Sequence, residues 1–237
     1  MSPLLHAMDR LRNRASELRF GDPVAVVYNP LDYAWDVARA YVERFGQGPK
    51  DTLLLGMNPG PFGMGQTGVP FGEISAVRDY LGLSGEIRSP RRVHEKRPIL
   101  GFSCPRREVS GQRLWGALAK RYPIPEDLFR RAFVLNYCPL LFVSESGANV
   151  TPDKLTRAER HALETICDEG LREAIEALSP KHIVGIGGYA AKCAERVTGR
   201  SDIITMPHPS PASPAANRGW EAAARTALER GGLSGFL

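Results

Sequence analysis

Three side chains in this sequence are placed where their chemistry would be usable: His208, Asn58 and Asn136. His208 sits in the run Met206-Pro207-His208-Pro209-Ser210-Pro211-Ala212-Ser213-Pro214-Ala215-Ala216-Asn217. Prolines on both sides restrict its backbone, so the direction of the imidazole is largely fixed. A fixed donor suits electrostatic catalysis, in which a hydrogen bond must already point to where charge will develop. Asn58 follows an apolar, strand-like run and is placed to hold a water or a polar group. Asn136 heads Asn136-Tyr137-Cys138-Pro139-Leu140-Leu141-Phe142. Its carboxamide, with one acceptor and two donors, is able to read the edge of a flat heterocycle. Each residue also has a bland reading: a surface histidine, a loop residue, and an asparagine capping a turn.

Asn58 lies in the stretch Gly56 to Gly72, GMNPGPFGMGQTGVPFG, which holds six glycines and three prolines. Such a stretch follows an irregular path and lets a ligand approach the backbone closely. Its Met57, Phe62, Met64, Val69 and Phe71 need a surface to pack on or a planar ligand to stack against. A phosphate cradle of the P-loop type is disfavoured, because its lysine and following Ser/Thr are absent. Gly185-Ile186-Gly187-Gly188 leaves a cofactor enzyme open as a rival. Any tight strand-to-helix turn wants glycine, however, and this one could equally meet a phosphate with its amides. Cys138 with a histidine would suggest a hydrolase, but no orienting partner is evident. Cys104, Cys138, Cys167 and Cys193 are scattered without a CxxC pair, so neither a metal, a cluster nor a structural disulfide is expected. No cofactor is implied.

The elements that must position these loops alternate between strand and helix. Short apolar runs at Val24 to Val27, Thr52 to Leu55, Ala132 to Leu135, His182 to Ile186 and Asp202 to Thr205 read as strands or extended segments. Helical spacing predicts helices over Met1 to Phe20, Leu31 to Phe45, Glu73 to Leu81, Arg113 to Tyr122, Thr156 to Leu178, Tyr189 to Val197 and Asn217 to Arg230. Core-type rather than alternating strands argue for an α/β fold, a three-layer α/β/α sandwich around a central four-stranded, mostly parallel sheet. No repeat or break in composition divides residues 1–237, so one domain is expected. Ligands of such sheets bind beyond the carboxyl ends of the strands. Those ends carry the loops Gly56 to Gly72, Asn136 to Phe142 and Met206 to Ala216.

Hydrophobic and charged contents of 43% and 24% are those of an ordinary soluble protein. No apolar run approaches the roughly 20 residues that a membrane helix needs, and the N-terminus lacks the pattern of a secretion signal. The net charge of +5 is compatible with a polyanion. Its distribution is more informative. Arg88, Arg91, Arg92, Lys96, Arg97, Arg106, Arg107 and Arg113 face only Glu95 and Glu108 in the same segment, a pattern suited to a phosphate backbone or to a solvated loop with ion pairs.

Taken together, the stretches Gly56 to Gly72, Asn136 to Phe142 and His208 to Trp220 (HPSPASPAANRGW) resemble the motifs of the single-strand-selective monofunctional uracil-DNA glycosylases. The resemblance implies a DNA repair enzyme that hydrolyses the N-glycosidic bond of uracil and related bases and leaves an abasic site. It implies that Asn58 positions the attacking water and His208 stabilises the departing base. It further implies that Phe71 stacks on the base, Asn136 pairs with its edge, and Met57 and Gly60 line the pocket with backbone groups. Pro209 to Ala216, above all Pro209, Ser210, Pro211, Ala212 and Ser213, would be a wedge for the gap left by a flipped nucleotide. The small Ala212 and Ser213 stand where the family often has a large basic residue. The implied partner is DNA, single- or double-stranded, met by a monomer without metal in the cytoplasm (bacterial nucleoid) or the nucleus. A DNA-binding module of the same fold that does not cut is the rival.

Overall fold

A computed structural model describes residues 1–237, apart from the side chains of Pro214 and Ala215. The chain opens with α1 (Pro3–Glu17), β1 (Val26–Tyr28), α2 (Pro30–Tyr33), α3 (Trp35–Phe45) and β2 (Thr52–Gly56). After the glycine-rich loop come α4 (Met64–Thr67), a π turn at Ala76–Tyr80, α5 (Val109–Arg121) and α6 (Pro125–Phe129). Next are β3 (Ala132–Asn136), β4 (Leu141–Val143), β5 (Asn149–Val150), α7 (Arg157–Leu178), β6 (His182–Ile186) and α8 (Gly188–Thr198). β7 (Ile204–Met206), α9 (Pro214–Asn217) and α10 (Trp220–Arg230) complete it.

The central sheet has the order β3-β2-β6-β7, and all three pairings are parallel. The sequence Thr-Leu-Leu-Leu-Gly of β2 is buried throughout, as is Ala-Phe-Val-Leu-Asn of β3. Unbroken apolar strands are what a sheet covered on both faces requires. Helices cover it. α8 packs on β6 and β2, α7 on α8, α1 on α7, and α10 on β7 and α5. From α3, the Tyr41 hydroxyl donates to the Val134 carbonyl of β3 at 2.9 Å. Helix α7 starts where a capping box satisfies its first amides, Thr156 with Glu159. It stops at Ser179, which adopts a left-handed conformation before Pro180.

The expected α/β architecture is therefore present, with differences that have physical causes. Leu31 to Phe45 is two helices, because Ala34 (φ −109°, ψ 28°) interrupts the first. The expected helix over Glu73 to Leu81 is present from Ile74 to Tyr80, but its last five residues, Ala76–Tyr80, are a π turn; the Ser75 and Ala76 amides at its start donate to the Glu73 carboxylate. The strand expected near Val24 is β1, which joins β4 and β5 in a separate antiparallel sheet, order β1-β4-β5. That sheet steadies the basic segment. The Tyr28 hydroxyl donates to the Arg97 carbonyl at 2.7 Å and accepts the His94 amide at 2.7 Å. Among the described residues, no helix is long and apolar enough to cross a membrane.

Candidate active site

All four parallel strands end on one side, so the loops after Gly56, Asn136, Ile186 and Met206 share one edge of the sheet. Gly56 lies opposite Asn136 in the ladder. A Cβ at Gly56 would stand 2.3 Å from the Asn136 Oδ1 and 2.6 and 2.8 Å from Phe71 ring atoms. Glycine is thus what lets the carboxamide and the aromatic ring close on each other. Asn136 is 6% exposed. Its Nδ2 donates to the Met64 sulfur at 3.2 Å, while Oδ1 is buried with no partner. A thioether only accepts, so this contact fixes which way the amide points. The orphaned acceptor costs about 1–3 kcal/mol until a donor reaches it.

Phe71 adopts φ 53°, an unusual conformation for an aromatic residue. Neighbours over-determine it. Trp115 of α5 donates its ring N–H to the Pro70 carbonyl at 3.2 Å, and the Thr67 hydroxyl donates to the Gly72 carbonyl at 2.9 Å. The Phe71 ring centroid lies 5.8 Å from that of His208, inclined at 42°.

His208 is set between the Ser210 amide and Gly187. Its Nδ1 accepts the Ser210 amide at 3.1 Å, so in the neutral ring the proton resides on Nε2. Gly187, at φ 91°, gives it room; a Cβ there would lie 3.3 Å from the His208 Cβ and 3.5 Å from Cδ2. Burial lowers the imidazole pKa below its usual value of 6.5. The loop beyond is braced from outside. The Trp220 ring N–H donates to the Pro207 carbonyl at 2.8 Å, Arg113 to the Pro209 carbonyl at 2.8 Å, and Asn217 to the Pro211 carbonyl at 2.7 Å. Pro209 is buried, Ser210 and Ser213 are half-buried, and Pro211 and Ala212 are exposed at the tip. The side chains of Pro214 and Ala215, within the wedge read from sequence, lie outside the described residues.

Asn58 is half-buried, and its Nδ2 donates to the Leu140 carbonyl at 3.3 Å, which leaves Oδ1 as an oriented acceptor. The Met57 carbonyl already accepts the Cys138 amide at 2.8 Å, and the Gly60 carbonyl accepts that of Gly65 at 2.9 Å. Cys138 is fully buried and its sulfur accepts the Leu140 amide at 3.4 Å. It shapes the turn that presents Leu140 to Asn58. In the Gly185–Gly188 turn, a Cβ at Gly185 would fall 2.4 Å from the Ala191 backbone, so close helix–strand packing accounts for that glycine.

The basic segment is fastened to the same loop. Gln66 donates to the Pro61 and Pro98 carbonyls and accepts the Leu100 and Gly101 amides. Phe62 carries the guanidinium of Arg106 at 4.1 Å and that of Arg97 at 5.3 Å. Among the described residues, none of the eight cations from Arg88 to Arg113 forms a salt bridge, and six of them are exposed, so the cluster is solvated but not ion-paired. A groove of about 940 Å³ runs beside the end of the 206–217 loop, between α5 and α10, with Arg113, Lys120 and Arg225 on its walls. No three His, Cys, Asp or Glu side chains among the described residues are grouped to hold a metal ion.

The profile of the Uracil DNA glycosylase superfamily matches residues 44–228. The chain belongs to that superfamily. It is 50% identical over 232 residues to the single-strand selective monofunctional uracil-DNA glycosylase of Rattus norvegicus, covering 96% of this chain and 84% of the relative. For the Mus musculus protein of the same description the identity is 49%, with 96% and 83% covered. A crystal structure of SMUG2 from Pedobacter heparinus superposes with a TM-score of 0.64 over 94% of each chain at 16% identity, a likeness of fold. Within this uracil DNA glycosylase fold, sequence reasoning had missed the supports: Leu140, Gly187, Trp115, Trp220, and Arg113 as a brace. Trp220 and Asn217 lay in the third motif, and their hydrogen bonds explain what the end of that motif does.

Proposed function

We propose that the protein hydrolyses the bond between uracil, or a closely related base, and deoxyribose in DNA, with Asn58 and His208 at the reacting centre. Membership of the superfamily, with half of its residues identical to mammalian single-strand selective monofunctional uracil-DNA glycosylases, makes it a DNA repair glycosylase. The observation that carries the assignment of residues is the buried, unpartnered Oδ1 of Asn136, at one strand end with Phe71 and a neutral, oriented His208.

The chemistry follows from these groups. As the C1′–N1 bond stretches, negative charge gathers on the uracil ring and positive charge on the sugar. His208, its Nδ1 already bound to the Ser210 amide, donates from Nε2 to the ring oxygen that gains charge. Asn58, its amide nitrogen bound to Leu140, accepts a hydrogen bond from the water that captures the sugar. A carboxamide takes no proton near neutral pH, so leaving-group stabilisation does most of the catalysis. No lysine stands in the three motifs to form a covalent imine, so the product is an intact abasic strand.

Specificity resides at Asn136. The N3–H of uracil is the donor its Oδ1 lacks, and O4 accepts from the amide; cytosine reverses both. Mismatched buried polar groups reject a ligand by about 10⁴-fold or more. Phe71 stacks on the base, and Met57 and Gly60 contribute backbone N–H groups, since their carbonyls are engaged. The unpaired cations of the 88–107 segment follow the phosphates. The Pro209–Ser213 tip fills the gap in a duplex, where unstacking costs on the order of a few kcal/mol and least at a mismatch. Both single- and double-stranded DNA are therefore substrates, met by a monomer, one domain across the chain, in a compartment that holds DNA. Single-turnover excision from oligonucleotides carrying one uracil, with EDTA present, tests the assignment. Abasic product supports it, and intact oligonucleotide despite tight binding would favour the DNA-binding rival.

A further inference from the structure

Glu108 occupies the position before α5 where a side chain would ordinarily cap the helix, yet it makes no capping bond. Its carboxyl is turned into the glycine-rich loop instead. A Cβ on Gly60 would fall 1.8 Å from its Oε1, and one on Gly63 would fall 2.0 Å from its Oε2. Any side chain at either position would need the volume the carboxyl fills. Oε2 is buried and has no hydrogen-bond partner. The glycines it touches govern the loop beyond them. The Gly60 carbonyl accepts the Gly65 amide at 2.9 Å, and the Gly63 carbonyl accepts those of Gln66 and Thr67 at 2.8 and 3.1 Å. Gly60 is two residues from Asn58, and Met64 is the partner of Asn136.

We infer that Glu108 is a positioning residue of this site: its carboxyl fills the space left by Gly60 and Gly63 and so holds the backbone between Asn58 and Met64 in its working path. It does this as the neutral acid. Burial, and after it the nearby Glu73 carboxylate, push its pKa up to about 7. Glu73 itself accepts hydrogen bonds from the Ser75 amide and hydroxyl and the Ala76 amide. Of the neighbouring cations, Arg106 lies over Phe62, Arg107 is exposed and Arg113 donates to the Pro209 carbonyl; none of the three forms a salt bridge with Glu108 among the described residues. The amino end of α5 favours a negative charge, but burial outweighs it. Once ionised, Glu108 is a half-buried anion with one oxygen, Oε2, shut away from water and a second carboxylate nearby, and it presses away from the loop.

The catalytic consequence rests on the glycosylase reading, whereas the structural one does not, so the test has two arms. Amide hydrogen exchange across residues 56–70 and single-turnover uracil excision are followed from pH 5.5 to 8.5 in the wild type, Glu108→Gln and Glu108→Ala. Wild-type exchange, corrected for its intrinsic pH dependence, is expected to rise by about threefold or more as pH passes 7, while excision falls by a similar factor. Glu108→Gln, neutral throughout, is expected to lose both trends and keep the low-pH rate. Glu108→Ala is expected to exchange faster and excise more slowly at every pH. If Glu108→Gln retains the wild-type pH profile of exchange, the inference is overturned, whether or not Glu108→Ala folds. Absence of uracil excision by the wild type would refute the glycosylase reading alone, because the exchange arm still judges Glu108.

Discussion

Replacing His208 by alanine isolates the group on which the proposed chemistry leans most. In the folded protein this ring is partly desolvated, which lowers its pKa below 6.5, and Nδ1 is occupied by the Ser210 amide. Its contribution to the transition state is therefore one preorganised, neutral N–H donor in a poorly solvated setting. Removing a donor of that kind costs about 2.7–4 kcal/mol, or a factor of about 10²–10³ in kcat. Stability should change less, because His208 is half-buried and its loop remains braced by Trp220, Arg113 and Asn217. The assay is single-turnover excision at pH 6.5 with enzyme in excess, alongside thermal melting and binding to an abasic-site oligonucleotide. A hundredfold or greater loss in rate with folding intact is expected. Nitrogen-15 spectra of the wild type should show an imidazole neutral at pH 6.5 with its proton on Nε2. Near-normal excision by His208→Ala would refute the reasoning, and so would an imidazolium at that pH.

Other outcomes follow from the same geometry. Gly56→Ala places a methyl against Asn136 Oδ1 and the Phe71 ring; overpacking of about 1–3 kcal/mol should lower Tm by about 2–12 °C, with a larger loss of uracil excision. Asn136→Leu removes a buried orphaned acceptor, so its Tm should equal or exceed that of the wild type while kcat/KM for uracil falls; a parallel loss of both would contradict the base-reading role. The double variant Arg91→Ala, Arg92→Ala should weaken single-stranded DNA equally whatever its sequence, and should make the slope of log affinity against log salt shallower by about 1.4. For Glu108 the folded pKa of about 7 exceeds the ordinary 4.5, so the folded state binds more protons between those values. Stability should fall by about 3 kcal/mol as pH rises from 4.5 through 7, a trend that Glu108→Gln should remove in urea melts.

The parts of this protein that could be read in its sequence are those in which local chemistry dictates local geometry. Apolar runs such as Leu53 to Leu55 and Val134 to Leu135 announce buried parallel strands, and Gly/Pro-rich loops after them announce a ligand-facing edge. The alternative pairings between short strands were not readable. Leu141–Val143 looks like the apolar end of a loop, and only its ladder with Val26–Tyr28, more than a hundred residues earlier, makes it a strand. The break at Ala34 leaves no proline or glycine to mark it. Arg113 illustrates a different limit. Counted among phosphate-binding cations by its neighbours in sequence, it donates instead to the Pro209 carbonyl. Sequence proximity reports the charge of a segment, whereas the role of one guanidinium depends on which acceptor the fold brings within reach.

Glycine placement connects the fold to the proposed reaction. At Gly56, Gly60, Gly63 and Gly187 the missing side chain is replaced by a functional or positioning group: Asn136 with Phe71, the two oxygens of Glu108, and His208. Three of those groups are polar, and burial favours the neutral form of the two that titrate, lowering the imidazole pKa below its usual value and raising that of the acid to about 7. Neutrality suits a reaction whose leaving group becomes an anion, since a nearby carboxylate would oppose the charge that His208 is proposed to stabilise. It also excludes a strong base beside the water, because Asn58 has no proton-accepting capacity near neutral pH. A site built this way gains its rate from fixed dipoles alone, so its activity should depend on loop geometry as steeply as on the identity of the two residues nearest the bond.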